Sequence, residues 1–495
     1  MSRRTSLGSQ TTASSPLTLA EVLPEATSDP HLAKLADVPV PDPLKAPVEP
    51  ADLSHREFVE APFWHAVPAF AEVDEATFLD PKFQNKHSVT SPEALQQLLG
   101  DLASPEFLED VAAGFAQAPM NVRLSPYILS RIDWTNPYED PIRRQFVPVA
   151  STRLPDHPGL RFDSLGEQDD SPTNGLVHRY PDKVLFLALD VCPVYCRFCT
   201  RSYAIGGSTD TVDKEGYKPK PERWHKGLAY IASRPEVEDV VLSGGDAFML
   251  PARKLRELLM SLLAIPHVRR VRVASKGPAV MPMKILGDTD WTDALCDAVD
   301  HGRKQGQEVC LHTHFNTPEE ISYISRDAMD LLFQRGVKVR NQSVLIRGVN
   351  DDPARMTTLV KRLSAINVQP YYVYQHDMVK GVEELRTSLA DSIELERWVR
   401  GTTAGFNTPT FVTDAPGGGG KRDLHSFDYY DETTGISIYR SPSVDPDQYY
   451  VYFDPLDRLP AAGRRRWADP DEHARMVKEA VLAAGLSGFE PATPM

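Results

Sequence analysis

The sequence predicts an α/β fold, a partial parallel (β/α) barrel with a helical region before it and a short extension after it. From Lys183 onward, strand-like apolar runs alternate with helical segments. Their ends fall about thirty residues apart, the span of one βα unit. Crossovers of that length join parallel strands covered by helices. Polar residues follow each run, and in a barrel such strand ends converge on one mouth. The chain divides accordingly into an arm over 1–52, a helical domain over 53–155, the barrel over 156–421 and an extension over 422–495.

The arm has eight prolines in its first fifty residues, with many Ser, Thr and Ala, the composition of disordered or extended chain. In the helical region, Ser91-Pro92-Glu93 and Ser104-Pro105-Glu106 each join an N-cap to a proline in the first turn. The barrel strands are expected to end near Asp190, Leu242, Ala274, Thr313, Val344, Tyr374 and Thr413. Helices are expected over 253–263, 290–301, 318–335 and 353–366. The strand ends carry Ser243-Gly244-Gly245-Asp246, Ser275-Lys276, His312-Thr313-His314, Asn341-Gln342, Gln375-His376-Asp377 and Asp414. After Lys421, a hairpin piece over 436–439, an aromatic strand over 449–453 and a helix over 469–484 form a cover or an oligomer contact.

Bulk properties narrow the function. A formal net charge of -15 argues against a general grip on nucleic acid. No run of about 18 apolar residues predicts a membrane span. The start, MSRRTSLGSQTT, lacks the apolar core of a secretory signal. Five cysteines, three of them clustered, give no disulfide framework, so a reducing, cytoplasmic setting is expected.

Those three are Cys192, Cys196 and Cys199, directly after the apolar run that ends the first barrel strand. Thiolates packed this closely suit a soft metal centre. Three thiolates on a four-iron cluster leave one iron open to another ligand. A three-thiolate zinc site and unliganded buried thiols are the alternatives. The second unusual stretch is Asp414-Ala415-Pro416-Gly417-Gly418-Gly419-Gly420-Lys421. It departs from a phosphate-binding P-loop at Ala415 and Arg422. A lysine on a glycine arm fits Schiff-base formation with an aldehyde cofactor, and a solvated loop is the plain alternative.

Taken together, these stretches resemble the lysine 2,3-aminomutase family, radical S-adenosylmethionine enzymes that also use pyridoxal 5′-phosphate. The resemblance runs through IRRQF at 142–146, HRYPD at 178–182, CPVYCRFCTR at 192–201 and LSGGD at 242–246. It continues through THFN at 313–316, NQSVL at 341–345, RGVND at 347–351, PYYVYQ at 370–375 and DAPGGGGK at 414–421. It implies a barrel of the radical S-adenosylmethionine type. Cys192, Cys196 and Cys199 would hold a [4Fe–4S] cluster. Phe198, Gly244, Gly245, Asp246, Ser275 and His314 would line the S-adenosyl-L-methionine site. Lys421 would carry pyridoxal phosphate, with Arg179, Lys183, Asn341 and Gln342 around its phosphate or ring. The family usually has arginine at Lys183, and lysine keeps the charge but loses the forked geometry. An electron donor such as flavodoxin or ferredoxin and a homo-oligomer are also implied.

For the substrate, the resemblance places Arg201 on the α-carboxylate and Asp377 and Asp414 on the distal ammonium of lysine. A glutamate side chain would meet two negative charges there, whereas arginine or another basic amino acid would fit. The implied reaction interconverts L-α-lysine and β-lysine, using a 5′-deoxyadenosyl radical and a 1,2-amino shift on the pyridoxal aldimine. One departure is visible. Family members carry late cysteines that bind zinc between subunits, but position 352 here is Asp352 and no cysteine follows Cys310. Cys296 and Cys310 lie in apolar segments and read as core residues.

Overall fold

The fold is taken from a computed structural model in which residues 17–41, 53–214 and 216–492 are described. Met1–Ser54 forms a unit of its own. In it the Glu21 carboxylate accepts from the Thr18 N–H at 2.7 Å and starts a single helical turn, Leu19–Val22. Of the arm expected over 1–52, residues 1–16 and 42–52 lie outside the described residues.

His55–Met495 forms the second unit. Its centre is a nearly closed barrel of nine strands whose spatial order is their chain order. These are β1 (Leu176–Tyr180), β2 (Lys183–Leu187), β3 (Asp239–Ser243), β4 (Arg270–Ala274), β5 (Glu308–Thr313), β6 (Lys338–Val344), β7 (Val368–Tyr374), β8 (Thr410–Ala415) and β9 (Gly420–Asp423). Strands β2 to β8 are parallel, while β1 and β9 run antiparallel to their neighbours. Helices cross between the parallel strands, among them Ala252–Leu263, Thr289–Gln305, Tyr323–Gln334 and Pro353–Ala365.

Period-two alternation explains why the sheet curls with a polar inside. Val240, Leu242, Val271, Val273, Val309 and Leu311 are buried and belong to the core that includes Leu255, Leu258, Leu259 and Leu262 of one crossover helix. Each such aliphatic side chain contributes about 1.5–3 kcal/mol by leaving water. The alternate positions on the same strands include Asp239, Arg270, Arg272, Glu308 and His312. The helical region docks onto the barrel through Tyr127, whose hydroxyl donates to Glu320 O at 2.9 Å and meets Ser322 Oγ at 2.9 Å.

The observed strands β4, β5, β6 and β7 end at Ala274, Thr313, Val344 and Tyr374, as the pattern predicts. The helix expected over 318–335 is split into a tight turn, Pro318–Glu320, and a helix from Tyr323, because the Ser322 hydroxyl caps the Ile324 N–H at 3.2 Å. The expected aromatic strand is the second half of β12 (Asp445–Phe453). It lies in a separate sheet with β10 (Tyr429–Asp431), β11 (Ile436–Ser441) and β13 (Glu490–Pro491). That sheet is tied to the barrel by Tyr452, whose hydroxyl accepts from Gln375 Nε2 at 3.0 Å and donates to His376 O at 2.9 Å.

Candidate active site

The cysteine loop follows β2 and is held from several sides. Its Arg197 N–H donates to Gln145 O at 2.9 Å, and the Arg197 guanidinium pairs with the buried Glu384. Gly244, at φ 132°, and Gly245 admit the backbone that leads into this loop. A Cβ on Gly244 would lie 2.3 Å from Leu189 O, and one on Gly245 would lie 2.4 Å from Val191 O. Both glycines thus let two stretches of main chain approach closely. All three thiols are free, and burial pushes each above its ordinary range. No three His, Cys, Asp or Glu side chains among the described residues form a group that could hold a single metal ion. Three thiols on one loop are the donor chemistry that a four-iron cluster takes.

Beside the loop, Phe198 faces His314 with ring centroids 5.7 Å apart. His314 Nδ1 donates to Gln342 O, which leaves Nε2 to accept from the Asn316 amide at 3.1 Å. Burial first, then Lys276, pushes the His314 pKa down to about 3, so the ring is neutral. Asp246 accepts from the N–H groups of Phe248 and Lys276, each at 2.8 Å. The Ser275 hydroxyl accepts from Gly277 N–H at 2.8 Å. Asp246 and Ser275 thus fix the turns after β3 and β4 with their own side chains.

Around the barrel's inner face a ring of contacts can be followed from strand to strand. The Lys183 ammonium lies 3.6 Å from the centre of the Tyr180 ring, whose hydroxyl accepts from the Lys421 N–H at 2.9 Å. The Lys421 ammonium lies 5.3 Å from the Tyr374 ring centre. Tyr374 donates to Gln342 Oε1 at 3.2 Å, and Gln342 Nε2 donates to His312 Nδ1 at 3.0 Å. Arg272 pairs with Asp239 at 2.8 Å and closes toward Lys183. Two buried donors on this face, Arg272 Nη2 and His312 Nε2, have no partner among the described residues.

Asn341 does not join that ring. Its amide accepts from Phe315 N–H at 2.6 Å and donates to Phe315 O at 3.0 Å and Ser343 Oγ at 2.8 Å. Alternation puts Arg340 and Gln342 on the inner face instead, with Arg340 Nη2 3.2 Å from Glu308. Arg179 is drawn to Asp170 at 2.7 Å and to Leu165 O. Burial, then Lys421, lowers the Lys183 pKa to about 8.

At the mouth, Asp377 follows β7 and Asp414 is the last but one residue of β8. Register pairs Asp414 directly with Lys421 of β9, and the Lys421 ammonium lies 3.0 Å from Asp414 Oδ2. Burial and then the charge of Asp414 raise the Asp377 pKa to about 8. Burial also opposes the charge of Asp414, but Lys421 and Arg179 outweigh it and hold that carboxyl below its usual range. One oxygen of each carboxylate, Oδ1, is buried without a partner. Arg201 is nearby and is gripped along one edge by Glu167, Nε to Oε2 at 2.8 Å and Nη2 to Oε1 at 2.6 Å.

Sequence reasoning missed Glu167, Tyr180 and Arg272 as members of this region, and gave His312 and Tyr374 as strand-end residues without a role. Counting alternate positions back from Gln342 finds Arg340, and back from Ala274 finds Arg272. Nothing in the sequence points to Glu167, which lies in a loop 34 positions from Arg201.

A partial parallel barrel with three cysteines after its first parallel strand defines a radical S-adenosylmethionine enzyme, and the Radical SAM superfamily model matches residues 188–359. Curated relatives narrow the class. L-lysine 2,3-aminomutase of Clostridium subterminale is 40% identical over 71% of this chain and 79% of its own length. The Bacillus subtilis strain 168 protein of that name is 36% identical over 72% of this chain and 71% of its own. Glutamate 2,3-aminomutase of Clostridioides difficile is 33% identical over 69% of this chain and 76% of its own. The chain belongs to the lysine 2,3-aminomutase family and is an isomerase. Membership of the superfamily implies a [4Fe–4S] cluster and S-adenosylmethionine. Among the described residues no helix is long and apolar enough to cross a membrane.

Proposed function

We propose that the chain is an L-lysine 2,3-aminomutase that interconverts L-α-lysine and β-lysine. The observation that carries this reading is the pair Asp377 and Asp414, two buried carboxylates with an unpartnered oxygen each. A lysine ammonium, that of Lys421, already lies 3.0 Å from one of them. Unpaired buried carboxylate oxygens are costly, and an incoming ammonium relieves both. A substrate carboxylate would instead bring another negative charge against Asp414.

Cys192, Cys196 and Cys199 would hold the cluster, with Phe198, Gly244, Gly245, Asp246, Ser275 and His314 around S-adenosylmethionine. Lys421 would hold pyridoxal phosphate. The unpartnered donors of Arg272 and His312 fit an anionic phosphate, alongside Arg179, Lys183 and Gln342. Asn341 would support that wall by fixing Phe315. When bound, the cluster and S-adenosylmethionine supply a hydrogen-abstracting radical, and pyridoxal phosphate supplies the conjugated system on which nitrogen moves. The chain's residues position and protect. Arg201 would bind the α-carboxylate, and the two aspartates would fix the far end, holding the substrate's reacting carbons at one depth. Neutral His314 donates no charge beside the cluster loop. The aromatic rings of Tyr374 and Phe198 would help to keep water out.

The test is anaerobic incubation of the reduced, reconstituted protein with S-adenosylmethionine, pyridoxal phosphate and lysine, arginine or glutamate in turn. β-Lysine as the principal product is expected. Conversion of arginine alone would move the reading to that substrate, and conversion of glutamate alone would overturn the role of the aspartates. Asp414→Asn is expected to lower kcat/KM for lysine at least a hundredfold, about 3 kcal/mol, the loss typical of a broken buried pair. Cofactor absorbance should be retained.

A further inference from the structure

Glu167 is a buried carboxylate to which no role in the reaction has been given. It takes the Nε–Nη2 edge of Arg201 in a two-bond fork, at 2.8 Å and 2.6 Å. Its Oε2 also accepts from the Tyr203 hydroxyl at 3.1 Å, so the carboxylate is held from two directions. The Glu167 side chain is 6% exposed, whereas that of Arg201 is 21% exposed. The arginine therefore keeps an open edge after Glu167 has taken the other. A guanidinium offers two such edges, each matched to a carboxylate.

The loop that carries Glu167 is itself fastened. Glu167 and Gln168 donate their N–H groups to the two Asp163 oxygens, each at 3.0 Å. Ser171 donates to Glu167 O at 2.7 Å. Ser164 O accepts from Gly417 N–H at 3.0 Å, which links the loop to the glycine turn before Lys421. Asp170 and Leu165 O hold Arg179. A long arginine side chain loses much rotamer freedom when fixed. Here that loss is taken before any substrate arrives.

We infer that Glu167 is a positioning residue for substrate recognition, orienting Arg201 so that its Nη1–Nη2 edge receives the α-carboxylate of the amino acid. This rests on the reading of Arg201 as the carboxylate ligand. Preorganisation of this kind lowers KM, because it removes an ordering cost from binding rather than stabilising the transition state alone. It also serves any α-amino acid alike, because the α-carboxylate is common to all of them.

The experiment compares the reconstituted wild type with Glu167→Gln and Glu167→Ala, using lysine and arginine as substrates. Glu167→Gln is expected to raise KM at least tenfold with kcat changed less than threefold. The lysine-to-arginine preference should be unchanged, and cluster and pyridoxal absorbance should be retained. Added acetate should restore much of the KM of Glu167→Ala by filling the vacated place beside Arg201. An unchanged KM, or loss of bound cofactor with no acetate rescue, would overturn the inference in favour of a structural role. A lowered KM would overturn it differently, making Glu167 a plug that substrate must displace. A wild type that converts arginine and not lysine removes the lysine reading alone, since the Glu167 comparison then runs on arginine. A shifted preference with unchanged KM would assign selectivity, not orientation, to this carboxylate.

Discussion

Asp377 and Asp414 show how one environment can separate two identical side chains. Both are buried, yet Asp414 meets Lys421 and stays charged while Asp377 meets Asp414 and takes up a proton. An ammonium needs the anion, so binding of lysine to the empty site releases the Asp377 proton. Affinity for lysine should therefore rise with pH, by up to tenfold per unit below about 8, and level off above it. Asp377→Asn should flatten that slope as well as lower the plateau, which calorimetric titration at several pH values would reveal. Lys183 titrates near the same pH with the opposite consequence. Above about 8 it loses its charge, so association of pyridoxal phosphate with the empty protein should weaken there. Lys183→Arg, which cannot deprotonate in this range, should remove the decline. These residue types were legible from the motifs, but their partners were not. Glu167 and Arg201 meet only because two loops fold onto each other, and no local pattern encodes that.

At the level of elements, the glycine stretch is the most informative departure from expectation. Four glycines before a lysine read as a swinging arm, yet Lys421 sits on β9, paired in register with β8. The glycines instead make the turn, with φ of 75°, 105° and 72° at Gly417, Gly418 and Gly420. Gly419 is small for another reason, since a Cβ there would lie 2.7 Å from Ala415 Cβ and from the Tyr450 ring. Gly419→Ala should cost about 1–3 kcal/mol through overpacking and should displace Lys421. Thermal melting and the pyridoxal absorbance would register the two effects separately. Most strand ends were legible because apolar runs stop abruptly at polar clusters. β1 and β9 were not, because antiparallel edge strands of four or five residues carry little periodicity. The bonds of Asn341 were hidden for a related reason. A motif marks it as polar, but only the direction of its side chain reveals that it anchors Phe315 while Arg340 faces inward.

For the molecule as a whole, strands in chain order bring together residues 241 positions apart, which a reading of consecutive motifs recovers in outline. What it does not recover is how the barrel ends. The outermost strands, β1 and β9, are the edges of the sheet, and between them stands the Tyr180 hydroxyl, accepting from the main-chain N–H of Lys421. The proposed anchor of the cofactor is thus also a rivet across the seam. Occupancy of the site should then be audible in the main chain. Amide hydrogen exchange at Lys421 is expected to slow when pyridoxal phosphate is bound and to quicken in Tyr180→Phe. A protein emptied of cofactor should loosen first along that one line, with the strands opposite it still locked.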